Sequence, residues 1–82
     1  MNHLHGTVRG THRHPLAGCI VKASGDGVDA CVVTDEHGRF KFDFEAKDGW
    51  SYSLKFEIEG YHPCTMDGVT AGDNEYVMEP VA

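Results

Sequence analysis

Arg39-Phe40-Lys41-Phe42-Asp43-Phe44, followed shortly by Ser51-Tyr52-Ser53-Leu54-Lys55-Phe56-Glu57-Ile58-Glu59, decides the fold. In both stretches apolar and polar side chains alternate at every residue. Successive side chains of a β-strand point to opposite faces, so each stretch presents one apolar face and one wet face. A helix would need its apolar residues at three- and four-residue steps, and neither stretch has them. Two such strands bury their rings and aliphatic chains only if a second layer covers them.

Turn signals recur on either side of this pair, at Gly10 to Pro15, Ser24-Gly25-Asp26-Gly27, Asp35 to Gly38, Lys47-Asp48-Gly49, Gly60 and Gly72-Asp73-Asn74. Glycine supplies positive φ at such places, and Asp and Asn cap or tolerate them. Between the turns the sequence predicts seven strands, at about 3–9, 18–24, 29–34, 38–45, 51–59, 62–69 and 75–80. No stretch reads as a helix, a linker or a repeat. The expected fold is all-β: a seven-stranded antiparallel sandwich made of one domain, residues 1–82. Strand parity places Leu4, Gly6 and Val8 on one face of the first strand and Cys19, Val21 and Ala23 on one face of the second. Tyr76 and Met78 share a face of the last. The predicted core is Val8, Leu16, Cys19, Val21, Val33, Phe40, Phe42, Tyr52, Leu54, Phe56 and Ile58.

Composition bounds the function. The 82 residues carry a net charge of -6, which argues against a nucleic-acid partner, since phosphates demand a basic stripe. The charge is uneven. Residues 1–25 hold Arg9, Arg13 and Lys22 without a single acid, and all thirteen acids follow from Asp26 onward. No apolar run approaches the roughly 18–20 residues that span a bilayer. The opening stretch MNHLHGTVRG has no apolar signal-peptide core. The location expected is cytoplasmic for a complete chain, and extracellular or periplasmic for a module of a longer exported one. Cys19, Cys31 and Cys64 form no disulfide framework. Cys19 shares parity with the core, while Cys31 and Cys64 pair only if their strands are neighbours.

Several blocks then follow one another in order: Gly6-Thr7-Val8, Pro15-Leu16-Ala17-Gly18-Cys19-Ile20-Val21, Thr34-Asp35-Glu36-His37-Gly38-Arg39-Phe40, Tyr52-Ser53-Leu54 and Gly60-Tyr61. Across nearly the whole chain this pattern resembles the carboxypeptidase regulatory-like domain. The resemblance implies a Greek-key sandwich with a prealbumin-like (transthyretin-like) fold. It also implies a module that performs no chemistry and serves as an accessory, binding or spacer unit, as a monomer or an edge-paired dimer beside a protein partner or its own parent chain. The residues themselves fit folding roles. Asp35 caps a tight turn that Gly38 ends, Phe40 enters the core, and Gly60-Tyr61 makes a corner with the Tyr61 ring buried and its hydroxyl bonded to backbone. Two enzymes of related fold fit poorly. A transthyretin-type hydroxyisourate hydrolase would end in Tyr-Arg-Gly-Ser, whereas this chain ends Glu79-Pro80-Val81-Ala82. An intradiol dioxygenase needs two tyrosines and two histidines around iron, in a longer chain.

Two places carry chemical potential. His3-x-His5 puts two imidazoles on one face of a strand about 6.5–7 Å apart at Cα. His12-x-His14 follows in the adjoining loop and would complete a four-nitrogen set suited to Zn²⁺, Ni²⁺ or Cu²⁺. The alternative is four solvated histidines with chance spacing. The second place is Trp50, just before a strand, where an indole either stacks on a sugar or partner chain or lids one end of the core. The acidic stretch Asp67-Gly68 to Glu75 offers oxygen ligands for Ca²⁺ without the regular spacing of an EF-hand loop. No phosphate loop precedes a helix, and no Ser, His and acid arrangement stands out.

Overall fold

The computed structural model describes residues 3–25, 27–44, 49–70 and 72–81, with backbone alone for 72–74. Its strands are β1 (Leu4–Gly10), β2 (Ile20–Gly25), β3 (Val28–Val33), β4 (Arg39–Lys41), β5 (Tyr52–Glu57), β6 (Cys64–Val69) and β7 (Gly72–Met78). There is no helix among the described residues. The strands form two sheets, one in the order β4-β1-β7 and one in the order β3-β2-β5-β6.

The larger sheet is antiparallel throughout, and β4 runs antiparallel to β1. β7 does not follow the expectation. It lies parallel to β1, with Leu4 opposite Gly72 and Gly10 opposite Met78, so the smaller sheet is mixed. A two-residue period marks the faces of a strand and carries no information about its partner's direction. β7 follows β6, an edge of the other sheet, and crosses over to flank β1.

The core between the sheets is aromatic. Tyr52, Phe42, Phe56, Leu4 and Leu54 are its largest fully buried side chains. Phe40 of the smaller sheet stands 6.0 Å, ring centre to ring centre, from both Phe42 and Phe56. Phe56 reaches Tyr76 on β7 at 4.6 Å. These edge-on and tilted pairs couple the layers. Cys19, Val21 and Ala23 fill the space beside them.

Two predicted core members differ. Val33 is 58% exposed, because β3 turns Val28, Ala30 and Val32 inward and sets Val33 opposite Ile20 on the outer surface. Ile58 lies just past the end of β5 and is half-buried against the core. Leu4, Ala23, Val69, Tyr76 and Met78 complete the interior. β4 is also shorter than the predicted 38–45. Beyond Lys41 the alternation nonetheless persists: the Phe42 N–H donates to the Leu4 carbonyl at 2.9 Å, Phe42 is buried and Phe44 half-buried. Glu45 lies outside the described residues.

Thr34 is buried and pins the first connection beneath the core. Its Oγ1 accepts the Cys19 N–H at 2.8 Å and donates to the Leu16 carbonyl at 2.6 Å. Thr34→Val keeps the shape and strands both partners, so it is expected to cost about 2–4 kcal/mol. Thr34→Ser should lose far less. Urea midpoints for the two variants separate these outcomes.

The turn from β3 to β4 is built as its residues suggest. Asp35 Oδ1 accepts the N–H groups of His37 and Arg39, each at 2.9 Å, and the Gly38 N–H closes on the Asp35 carbonyl at 3.0 Å. The Arg39 N–H is the main cause holding the Asp35 carboxyl below its ordinary value; slight desolvation opposes it and the His37 N–H adds to it. A carboxyl depressed on folding stabilises the native state above its unfolded pKa, and that stability is lost as pH falls through the folded value. The melting temperatures of wild type and Asp35→Asn are therefore expected to differ most near neutrality and to converge in acid.

Candidate functional site

The four histidines do not meet. His3 shares its Nδ1–H between the carbonyls of Phe42 and Phe44, both at 3.1 Å, which ties the start of the chain to the segment after β4. His5 is half-buried on β1, across from Lys41. His14 lies at the other end of β1, where its ring crowds Gly10 and its Nε2 sits 2.8 Å from the Tyr61 hydroxyl. Five residue steps along the strand lead from His5 to Gly10, a span of about 16–17 Å, and His12 is exposed in the turn beyond. The four-nitrogen set expected from the two His-x-His pairs is thus split between the ends of a strand. Among the described residues no three His, Cys, Asp or Glu side chains gather closely enough to hold a metal ion.

Tyr61 also departs from expectation. Its ring is half-buried and its hydroxyl meets the His14 imidazole, a partner 47 residues away, where the sequence suggested backbone. The corner itself is present, with the Tyr61 N–H on the Ile58 carbonyl at 3.2 Å. Asp67, from the acidic stretch, accepts a hydrogen bond from Ser53 at 2.8 Å on the outer surface of the larger sheet. Glu75, at the end of that stretch, faces Arg9 at 3.6 Å in the smaller sheet.

The cysteines are separate. Cys31 is exposed on β3 and Cys64 is half-buried on β6. These are opposite edges of the four-stranded sheet, three strand spacings or about 14 Å apart, well outside disulfide reach. They also face opposite ways, since Cys31 pairs with the outward Lys22 and Cys64 with the inward Phe56. Burial pushes the Cys19 thiol up, which makes it a poor nucleophile. Its sulfur packs 3.8 Å from that of Met78.

Trp50 is 49% exposed just ahead of β5. A shallow groove of about 460 Å³ lies between Ile20, Tyr61 and Pro63. A larger one, of about 940 Å³, runs between the β3 edge of one sheet and the β4 edge of the other, lined by Val32, Val33, Arg39, Phe40 and Lys41, with His5 beside them. Sequence reasoning assigned Arg39 and Lys41 only to a wet face. The signal that could have singled them out is a pair of cations on a short strand of an otherwise acidic chain.

The chain matches no protein-family model and no curated protein. Solved structures do resemble it. Chlorocatechol 1,2-dioxygenase from Pseudomonas putida aligns over 94% of this chain and 59% of its own, with TM-score 0.69 and 16% identity. The fold is a β-sandwich. A chain of the type II cohesin–X–dockerin complex from Acetivibrio cellulolyticus aligns over 95% of this chain and 57% of its own, at TM-score 0.62 and 18% identity. A candidate carbohydrate-binding protein from Bacteroides uniformis ATCC 8492 aligns over 95% of this chain and 40% of its own, at TM-score 0.66 and 18% identity. This sandwich therefore spans less than two thirds of each of these chains, and at such identities the likeness speaks for architecture.

Proposed function

We propose that this domain is a non-catalytic β-sandwich module that binds a protein partner or packs against its own parent chain. Its sequence pattern resembles the prealbumin-like, Greek-key carboxypeptidase regulatory-like domain. The observation that carries this reading is where the reactive side chains go. Thr34, His3, His14 and Tyr61 each hold one segment of the chain against another, and Asp35 holds its own turn. Of these, His3 and Asp35 line the large groove, where the His3 Nδ1 and the Asp35 Oδ1 are already taken up by backbone. The likeness to a chain from a cohesin–X–dockerin complex supports the same reading. The likeness to a dioxygenase supplies the test. Purified protein loaded with ferric iron should give no ring-opened product from catechol or chlorocatechol, and no oxygen uptake. Product formation abolished by His14→Ala or Tyr61→Phe would overturn the reading.

Carbohydrate binding through Trp50 is the second reading, favoured by the exposure of that indole and by the likeness to the Bacteroides protein. Trp50 is the one tryptophan of the chain, so its fluorescence reports on it alone. A shift or quench that saturates with one member of a glycan panel supports this reading, and a flat response across the panel removes it.

A further inference from the structure

The four sheet edges are guarded unequally. β4 is three residues long and carries Arg39 and Lys41. β6 shifts register against β5 between Tyr52 and Leu54 and bends at Gly68, φ 71°, which spoils an edge for further pairing. β7 bears Glu75 and is soon followed by Pro80. β3, with the sequence Val28-Asp29-Ala30-Cys31-Val32-Val33, holds one charge, and its pairing with β2 is regular along all six residues. Regular, weakly charged edges of this kind are where another strand adds.

The backbone groups offered by this edge can be assigned. The Thr34 N–H donates to the Cys19 carbonyl at 2.9 Å, and facing residues of antiparallel strands alternate between bonded and non-bonded pairs. Val32 and Ala30 therefore direct their backbone groups toward β2, while Val33, Cys31 and Asp29 direct theirs away from it.

The groove of about 940 Å³ lies along the Val32 and Val33 end of this edge, with Phe40, Arg39 and Lys41 on the other side. An extended segment of five residues, about 17 Å long in a slot of about 4.8 by 10 Å, fills roughly 800 Å³. The chain as a whole is acidic, yet the ionisable groups lining the groove are Arg39, Lys41, His3 and His5, against Asp35 alone, whose carboxylate already takes two N–H groups. The lysine and arginine ion pairs among the described residues, Arg9–Glu75, Lys22–Glu57 and Lys55–Glu57, involve neither Arg39 nor Lys41.

We infer that the β3 edge and this groove accept an extended acidic segment of a partner protein, which joins the four-stranded sheet as a fifth strand. Alternate side chains of the segment, aspartate or glutamate, turn toward Arg39 and Lys41. The intervening apolar ones continue the outer surface beside Val33 and Ile20. The inference rests on the interaction-module reading and names its binding surface. A second copy of the chain is the poorer occupant, since its own β3 brings a single acid, Asp29.

The test titrates the ¹⁵N-labelled chain with a short peptide alternating valine and glutamate, beside one alternating valine and lysine. The glutamate peptide should shift the amides of Asp29, Cys31 and Val33 and bind more weakly as salt rises, and the lysine peptide should do neither. Arg39→Glu combined with Lys41→Glu should weaken binding at least tenfold with the thermal melt unchanged. Cys31→Pro, which deletes the central outward N–H and leaves the bonds to β2 in place, should weaken it as strongly. Equal binding of both peptides, an undisturbed β3, or self-association through β3 that the peptide does not compete with would overturn the inference. Shifts gathered around Trp50 or Tyr61 would overturn this surface while leaving the module reading standing.

Discussion

Phe42→Ala is expected to cost about 3–5 kcal/mol and to leave much of the population unfolded at 37 °C. The ring is fully buried and lies between two others, with Phe40 at 6.0 Å and Phe44 at 5.6 Å. The backbone of the same residue anchors β1, through its N–H on the Leu4 carbonyl. Removing the ring opens a cavity where the two sheets meet and forfeits the aromatic contacts on both sides. A chain of 82 residues has about 4–12 kcal/mol of stability in total, so the loss is comparable with the whole. Circular dichroism in urea measures it. A loss below about 1 kcal/mol would mean that the phenylalanine cluster is not the centre of the core.

Gly38→Ala should be nearly as damaging, at about 3 kcal/mol or more, although it adds only a methyl group. Gly38 sits at φ 74°, where an L side chain costs about 1–2 kcal/mol. A Cβ there would stand 2.5 Å from the Val8 carbonyl oxygen and 3.0 Å from the Leu16 nitrogen. Those two atoms are hydrogen-bonded to each other at 3.0 Å, and the Gly38 carbonyl accepts the Val8 N–H at 2.7 Å. The methyl group must displace backbone that joins β1, the first connection and the β3–β4 turn, which adds the loss of a buried hydrogen bond. Gly60→Ala is the control. Gly60 has φ 89° with nothing near its missing Cβ, so that variant should lose only the conformational part. Equal melting of the two alanine variants would refute the steric account.

The layered all-β plan was readable wherever apolar and polar residues strictly alternate. Phe40, Phe42, Tyr52, Leu54 and Phe56 are all buried as expected, and the Asp35 turn forms as its residues imply. The reading failed at Val33, because in Val32-Val33 two adjacent valines suit either face and the choice belongs to the pairing with Ile20. The direction of β7 was invisible for a different reason: parallel and antiparallel neighbours present the same alternation. The candidate sites were less legible still. His14 meets Tyr61 across 47 residues, and the large groove gathers residues from β1, β3 and β4. Neither is encoded in local spacing; both appear only once the chain is folded.

The parallel alignment of β1 and β7 has a consequence for biosynthesis. β1, the first of the seven strands to be synthesised, is flanked on one side by β7, the seventh. Until Met78 has cleared the exit tunnel, β1 has only the short β4 to lean on, and the apolar face of Leu4 and Val8 stays partly uncovered. Assembly of the smaller sheet therefore waits for β7, and pairing of strands so distant in sequence makes it slow, on the millisecond-to-second scale of such β topologies.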